Sequence, residues 1–460
     1  MKIFMIDYGD ELCSHVAQCF AACGQDMVMF SFPEPVYTDR YVMLSETNRN
    51  ALINALKSSV FDTVFSIQYL HEVSVCANAL GVIYLSWILH LPNPDIYRSS
   101  VSNLCNAIFA CDSYIVELIR STGAENVFYL PNGAFSADKT LFEATGEFTD
   151  YKFSYKRTIK ENDVIKIDEE NIETDNVVSE AGSVMTEADD IITETDAPLL
   201  EAKLDVDNDK DKVAENNDKP GEYDASFIGS VQSVKSDSVF GIESLLSDTC
   251  RGYLDGMAHS QRLSYNKDII AGNIPKHIME ELLEKYPVLA PNDIYTGVDE
   301  LILNDVFRPY ITAQERMILL SNVKRMVKIF SDWDMPEDTK EKYFMHDKIN
   351  DISERREIYS RSKLGVYIAN RAMINGIPHQ CFDIMSAGSM LITGPQKDLY
   401  NHFTSGKELI VFEDSFDFEQ KVLIYLHNDD DRNEIIENAR EKIRNEHLII
   451  HRIQELLSVF

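Results

Sequence analysis

The chain has 460 residues, 45% of them hydrophobic and 26% charged, which suits two or three domains with ample buried core. Its formal net charge of −33 excludes non-specific nucleic-acid binding, which needs basic surface to replace counterions, and argues equally against an anionic membrane surface. No apolar run approaches the roughly 20 residues that span a bilayer. Met1-Lys-Ile-Phe-Met-Ile-Asp7 is too short and too soon acidic for a secretion signal, so a cytoplasmic location is expected. Eight cysteines are scattered with no Cys-x-x-Cys pair and no completing histidine cluster, and read as reduced thiols rather than a metal set.

Taken in order, residues 2–7 form a first strand, and Leu12 to Cys23 has helical periodicity that stops at Gly24. Met27 to Phe32 is a second strand, Ala51 to Ser58 a helix, and Thr63 to Ile67 a third strand. Val73 to Leu80 is a helix ended by Gly81, and Val82 to Trp87 a fourth strand. Ala107 to Ala110 is a fifth strand, Ser113 to Thr122 a helix ended by Gly123, and Val127 to Leu130 a sixth strand closed by Pro131. Short apolar strands alternating with helices that stop at glycine imply a parallel, doubly wound α/β sheet.

Residues 155–222 differ in kind. From Lys160 to Glu222 there are 21 acidic and 6 basic residues, and no aromatic lies between Lys156 and Tyr223. Such a segment buries too little apolar surface to offset chain entropy and is expected to be a disordered acidic insertion. Order should return at Ala225-Ser-Phe-Ile-Gly-Ser230, a strand with a glycine turn, followed by helices over Pro275–Lys285, Asp299–Phe307 and Ala313–Met326. Val327 to Phe330 is a strand, and Ile352 to Ser362 a helix. The last helices are expected over 415–428 and 431–457.

The richest stretch runs from Arg371 to Gly388. An apolar strand, Leu364 to Ile368, precedes it and another, Ser389 to Thr393, follows. Between them a Gly376-Ile-Pro378 turn opens a short helix that ends at Ala387-Gly388. This arrangement sets a helix N-terminus beside the carboxyl end of a parallel strand, where free N–H groups and the helix dipole hold anions. Asp383 lies about one turn in, where a carboxylate can accept hydrogen bonds from a ribose diol. The unit suits a nucleoside diphosphate.

Gly376-Ile-Pro378, Asp383-Ile-Met-Ser-Ala-Gly388 and Leu391-Ile-Thr393 together resemble the C-terminal domain of the spore-maturation-type glycosyltransferases. The resemblance continues through Phe403-Thr-Ser-Gly-Lys-Glu-Leu-Ile-Val-Phe-Glu413 and Leu423 to Arg432. In the first half it covers Ile83-Tyr-Leu-Ser-Trp-Ile88, Ala124 to Pro131 and Asp224 to Gly229. It implies two Rossmann-like domains facing a cleft, the GT-B fold. The domains would be an acceptor side over 1–154, the insertion over 155–222, a donor side over 223–445, and a final helix over 446–460 that packs back on the first domain.

The resemblance implies that the turn at Gly229 and Ser230 approaches a donor diphosphate and that Asp383 binds donor ribose. Related enzymes often carry a second acid slightly earlier, where this chain has Asn375-Gly376. Arg371 follows its strand at the same rim and is suited to charge-assisted bonds with a diphosphate. Gly376 and Pro378, in the turn, are expected on the donor-binding side, and His379 beside it either touches phosphate or is a plain loop residue. An inverting transfer needs a base at a strand end of the first domain. The candidates are His90, Asp7 and Asp95, with Tyr8 and His71 also at strand ends, and His90 stands where the family commonly has Asp. No Asp-x-Asp lies in a context suggesting a metal, since Asp332-Trp-Asp334 and the pairs within Asp205–Asp209 sit in variable or acidic segments. The expectation is a metal-independent glycosyltransferase without cofactor, whose partners are a nucleotide sugar and a glycan, protein or small-molecule acceptor. The alternative is a non-catalytic two-Rossmann scaffold.

Overall fold

The computed structural model describes residues 1–9, 11–34, 44–58, 61–135, 222–231, 245–264, 267–285, 300, 302–323, 326–332, 344–349 and 351–460. The segment expected to lack structure, Glu222 apart, lies outside these residues, as do Asp334 and the acids at 205–209.

The first half builds β1 (Lys2–Asp7), α1 (Glu11–Ala22), β2 (Asp26–Ser31), α2 (Glu46–Ser58), β3 (Thr63–Ile67), α3 (His71–Leu80), β4 (Ile83–Ile88), β5 (Asn106–Ala110), α4 (Ser113–Ser121) and β6 (Val127–Tyr129). Its strands form one parallel sheet ordered β2-β1-β3-β4-β5-β6. Every residue of β3 and β5 is buried, because helices cover both faces, and this is why these strands read as unbroken apolar runs. Gly81, at φ +64°, closes α3 in the left-handed conformation.

The second half builds β7 (Tyr223–Ile228), α5 (Asp248–Arg262), α6 (Lys276–Lys285), α7 (Arg308–Asn322), β8 (Val327–Phe330), β9 (Met345–His346), α8 (Ile352–Ser360), β10 (Ser362–Tyr367), α9 (His379–Ala387), β11 (Met390–Thr393), α10 (Leu399–His402), β12 (Ile410–Val411), α11 (Ser415–His427), α12 (Asp429–Glu446) and α13 (Ile449–Leu457). The second sheet is also parallel, ordered β12-β11-β10-β7-β8-β9. Strand order reverses between β1 and β3 in one sheet and between β7 and β10 in the other. Beyond the carboxyl ends of such reversals a doubly wound sheet leaves a crevice.

Two expectations need correcting. The helix expected to begin at Ala313 begins at Arg308, reached through a π-turn at Leu303–Phe307. Pro309 stands at the junction of the two, just after the Arg308 N–H that closes the π-turn onto Leu303 O. The last helix, expected to run through 431–457, divides at His447–Leu448. There the N–H of Ala134 donates to His447 O (2.8 Å), and the N–H of Ile449 donates to Ala134 O (3.0 Å). A tertiary bridge to the first domain replaces helical bonds, and α13 then packs into one apolar cluster with α1, through Leu12, Val16, Ile450 and Ile453.

The two sheets meet through their carboxyl ends. Asp112, after β5, accepts hydrogen bonds from the N–H groups of Ile374 (2.7 Å) and Asn375 (3.0 Å) in the loop after β10. Asn132, after β6, donates to Ile377 O (2.9 Å). Asp398 accepts from the N–H (2.9 Å) and hydroxyl (2.6 Å) of Ser113 at the start of α4. Two parallel Rossmann-like sheets with facing carboxyl ends form the GT-B architecture.

Candidate functional site in the interdomain cleft

The centre of the cleft is α9. Asp383 is only 1% exposed, its Oδ1 has no hydrogen-bond partner, and its Oδ2 lies 3.5 Å from His379 Nε2. Burial pushes its carboxyl up to about 6, although Arg355, Arg356 and His90 pull the other way. His379 is pushed down to about 3 by burial, helped by the same arginines. At neutral pH the pair is therefore a carboxylate beside a neutral imidazole, and no ion pair joins them.

The first domain supplies the facing wall. The His90 ring lies 6.5 Å from that of His379, and Phe135 meets His379 edge-on at 5.1 Å. His15 on α1 stacks obliquely on Phe135 and is pushed down to about 4 by burial, with Arg356 and His379 adding repulsion. Arg355 and Arg356 come from α8. Neither makes an ion pair with a described residue, and the buried Nε of Arg355 has no hydrogen-bond partner. In a chain of net charge −33 this cleft gathers two guanidinium groups around one disfavoured carboxylate.

The base candidates separate. His90 is exposed at the end of β4, and its backbone is clamped by Gln68. The Gln68 amide accepts from the N–H groups of Leu89 (2.8 Å) and His90 (3.1 Å) and donates to His90 O (2.8 Å). Gln68 does so from a left-handed backbone at φ +64°, a conformation costly for a residue with a side chain. Asp7 caps the turn after β1, accepting from Gly9 N–H (2.8 Å) and the Ser31 hydroxyl (3.3 Å). Asp95 is not where a cleft base was expected. It is 2% exposed and accepts the His71 N–H (3.0 Å) at the start of α3, inside the first domain.

The donor-side candidates also divide. Gly229 and Ser230 lie at the β7 end of the strand reversal. There Arg316 on α7 bridges the strand ends, donating from Nε (3.1 Å) and Nη2 (2.7 Å) to Ile368 O and from Nη1 to Ser230 O. Gln380 donates to Ile228 O (2.7 Å) and to Tyr359. A Cβ on Gly376 would stand 2.5 Å from Cys111 O, so glycine is needed there for contact with the first domain. Pro378 opens α9, whose start lies against the 132–135 loop through Asn132 and a hydrogen bond from the His379 ring to the Gly133 backbone. Arg371 is not free to bind a diphosphate as expected. Its guanidinium forks onto Glu315 (2.9 and 2.7 Å), itself 3% exposed.

Sequence reasoning missed Arg316, Arg355, Arg356, Glu315 and Gln68. Each is distant in sequence from the motif it serves, and only tertiary packing brings it there. Among the described residues no three His, Cys, Asp or Glu side chains converge as a metal cluster, and no helix is long and apolar enough to cross a membrane.

Residues 316–458 match the family model described as glycosyl transferase-like. No curated protein matches the chain. Similar solved structures include HepE of Anabaena with UDP-glucose, at 11% identity, full coverage of both chains and a TM-score of 0.44. Sucrose-phosphate synthase of Thermosynechococcus elongatus aligns at 10% identity over 99% of this chain and 98% of that one, with a TM-score of 0.46. A glycosyltransferase of Rickettsia africae aligns at 11% over 99% and 96%, with a TM-score of 0.42.

Proposed function

We propose that this chain, whose residues 316–458 match a glycosyl transferase-like domain, moves a sugar from a nucleoside diphosphate sugar to an acceptor held between its two sheets. The observation that carries the reading is Asp383. A buried carboxylate without a full set of partners lies between the carboxyl ends of two parallel sheets, within the matched segment. Such a group is costly in the empty protein and is relieved by donors such as a ribose diol.

In this proposal Asp383 holds the ribose, and Gly229 and Ser230 approach the diphosphate. Gly376, Pro378 and His379 shape the start of α9 beside it. Arg355 and Arg356 offset the negative charge that develops on the leaving diphosphate. Arg371 supports the rim through Glu315. His90, exposed at the wall opposite, is the base for the acceptor hydroxyl, and Asp7 is the next candidate. No cofactor is assigned, and the kinship with the spore-maturation-type enzymes is part of the proposal, supported by the 376–393 motif. A cytoplasmic setting is supported by eight cysteines that stand as free thiols.

The test is release of nucleoside diphosphate from a panel of nucleotide sugars, with and without glycan acceptors. Wild-type protein should release it, and His90→Ala should lose turnover while keeping diphosphate affinity. Binding without any turnover would favour the non-catalytic scaffold.

A further inference from the structure

A second cleft opens on the other side of the β10–α9 loop. It lies where the carboxyl ends of β10, β11 and β12 meet the helices α5 and α7, and is open to solvent, with about 640 Å³ of empty space, open solvent included. Ile368 and Phe412 on its floor belong to the core on the α7 face of the sheet, whereas Phe382 and Ile384 beside Asp383 belong to the α9 face. The two sites are therefore on opposite faces.

The buried charges around this cleft are already matched, and the remaining cation that lines it, Lys267, is exposed to solvent. Arg371 is paired bidentately with Glu315, and Arg308, 2% exposed, is held by Asp268 (2.8 Å) and Glu300 (3.3 Å). A charged ligand placed against either buried pair would have to break it and strand a partner, which is strongly unfavourable. A neutral polar group is also left over. Gln396, 7% exposed, lines the cleft, and its amide makes no hydrogen bond with a described residue. It offers two N–H donors and a carbonyl acceptor together. Beside it the carboxylates of Glu315 and Asp268 keep lone pairs for further donors, while Ile368, Met373 and Phe412 present apolar surface.

We propose that this cleft binds an uncharged hydroxylated ring, a pyranose in class. Each hydroxyl both donates and accepts, which matches an amide beside paired carboxylates, and the C–H face of the ring fits the apolar floor. A neutral ring leaves the two ion pairs intact. That the ring is a sugar and not another neutral polyol rests on the glycosyl-transfer reading.

The test is ligand-observed saturation transfer from the full chain to glucose, galactose, N-acetylglucosamine and maltose, with glucose 6-phosphate as the charged comparison. Gln396→Met keeps the shape and removes the amide, and Gln396→Ser serves if that variant folds poorly. Melting and nucleoside diphosphate binding check the fold of both. At least one neutral sugar should bind, its affinity should fall about tenfold in the variants, and the phosphorylated sugar should bind more weakly. The proposal fails if no neutral sugar in the panel binds, if the variants bind as wild type does, or if the charged sugar binds more tightly. If nucleoside diphosphates bind while sugars do not, this proposal alone falls. If neither binds, the glycosyl-transfer reading falls with it.

Discussion

Replacing Asp383 by asparagine should make the free protein more stable while weakening its hold on nucleoside diphosphates. The magnitude follows from the carboxyl group. Its ordinary value is 3.8 and burial raises it to about 6, so ionising it in the folded protein costs about 3 kcal/mol. A raised carboxyl makes the folded state hold its proton more tightly than the unfolded chain does. The penalty is therefore fully present above about pH 6, shrinks as pH falls, and is gone below the unfolded value. An asparagine carries no charge, and its amide can donate to the unpartnered Nε2 of His379. Thermal melts of Asp383→Asn at pH 8 should rise by roughly 6–12 °C, taking roughly 2–4 °C per kcal/mol, and should match wild type near pH 4. Calorimetric titration with nucleoside diphosphates should show affinity reduced roughly ten- to a hundred-fold, as expected for a charge-assisted hydrogen bond worth about 1.5–3 kcal/mol. A variant destabilised to the same extent at both pH values would refute this reasoning and make the carboxylate an ordinary structural group.

Gly376→Ala places a Cβ 2.5 Å from Cys111 O and 2.9 Å from Asp112 Cβ, so the domains must part. A loss of about 1–3 kcal/mol with an increased radius of gyration in X-ray scattering is expected, and an unchanged melt would contradict it. Gln68→Ala should lower turnover without altering diphosphate affinity, because it frees the His90 loop. Gln68→Gly should do the same yet be about 1 kcal/mol more stable, since glycine tolerates the φ of +64°; equal melts would count against strain. Acidification should destabilise the seam. His15, His379, His402 and His447 are lowered from 6.5 to about 4, 3, 4 and 2 by burial, so the unfolded chain takes up protons that the folded one refuses. Stability is then lost as pH falls below 6.5. The raised carboxyls of Asp383, Asp112 and Glu455 offset part of the loss, leaving roughly 2–4 kcal/mol per pH unit near pH 5. Urea melts at pH 7, 6 and 5 measure it, and a flat profile would exclude it.

The two sheets were legible because parallel strands buried on both faces read as short apolar runs, and because glycines such as Gly81 and Gly388 stop their helices in left-handed turns. The strand–turn–helix around Asp383 was legible for the same reason. Where tertiary contacts outweigh local preference, sequence was silent. The break at His447 exists because Ala134 supplies a strand-like bridge. Gly376 was read as a ligand-side glycine, while its close contact is with the backbone of the other domain. Arg371 sits at the rim, but no pattern in the sequence announces that Glu315, 56 residues earlier, neutralises it. Arg355 and Arg356 look like surface charges on a polar helix until α8 is packed against the cleft.

The most direct test of the account is calorimetric titration of the wild-type chain with UDP, GDP, ADP and TDP, repeated with Asp383→Ala and with Arg355→Gln/Arg356→Gln. The account predicts one-to-one binding of at least one nucleoside diphosphate, weakened by both variants, with that of the arginine variant losing most of its salt dependence. Absence of binding by all four, or binding indifferent to both variants, would contradict it.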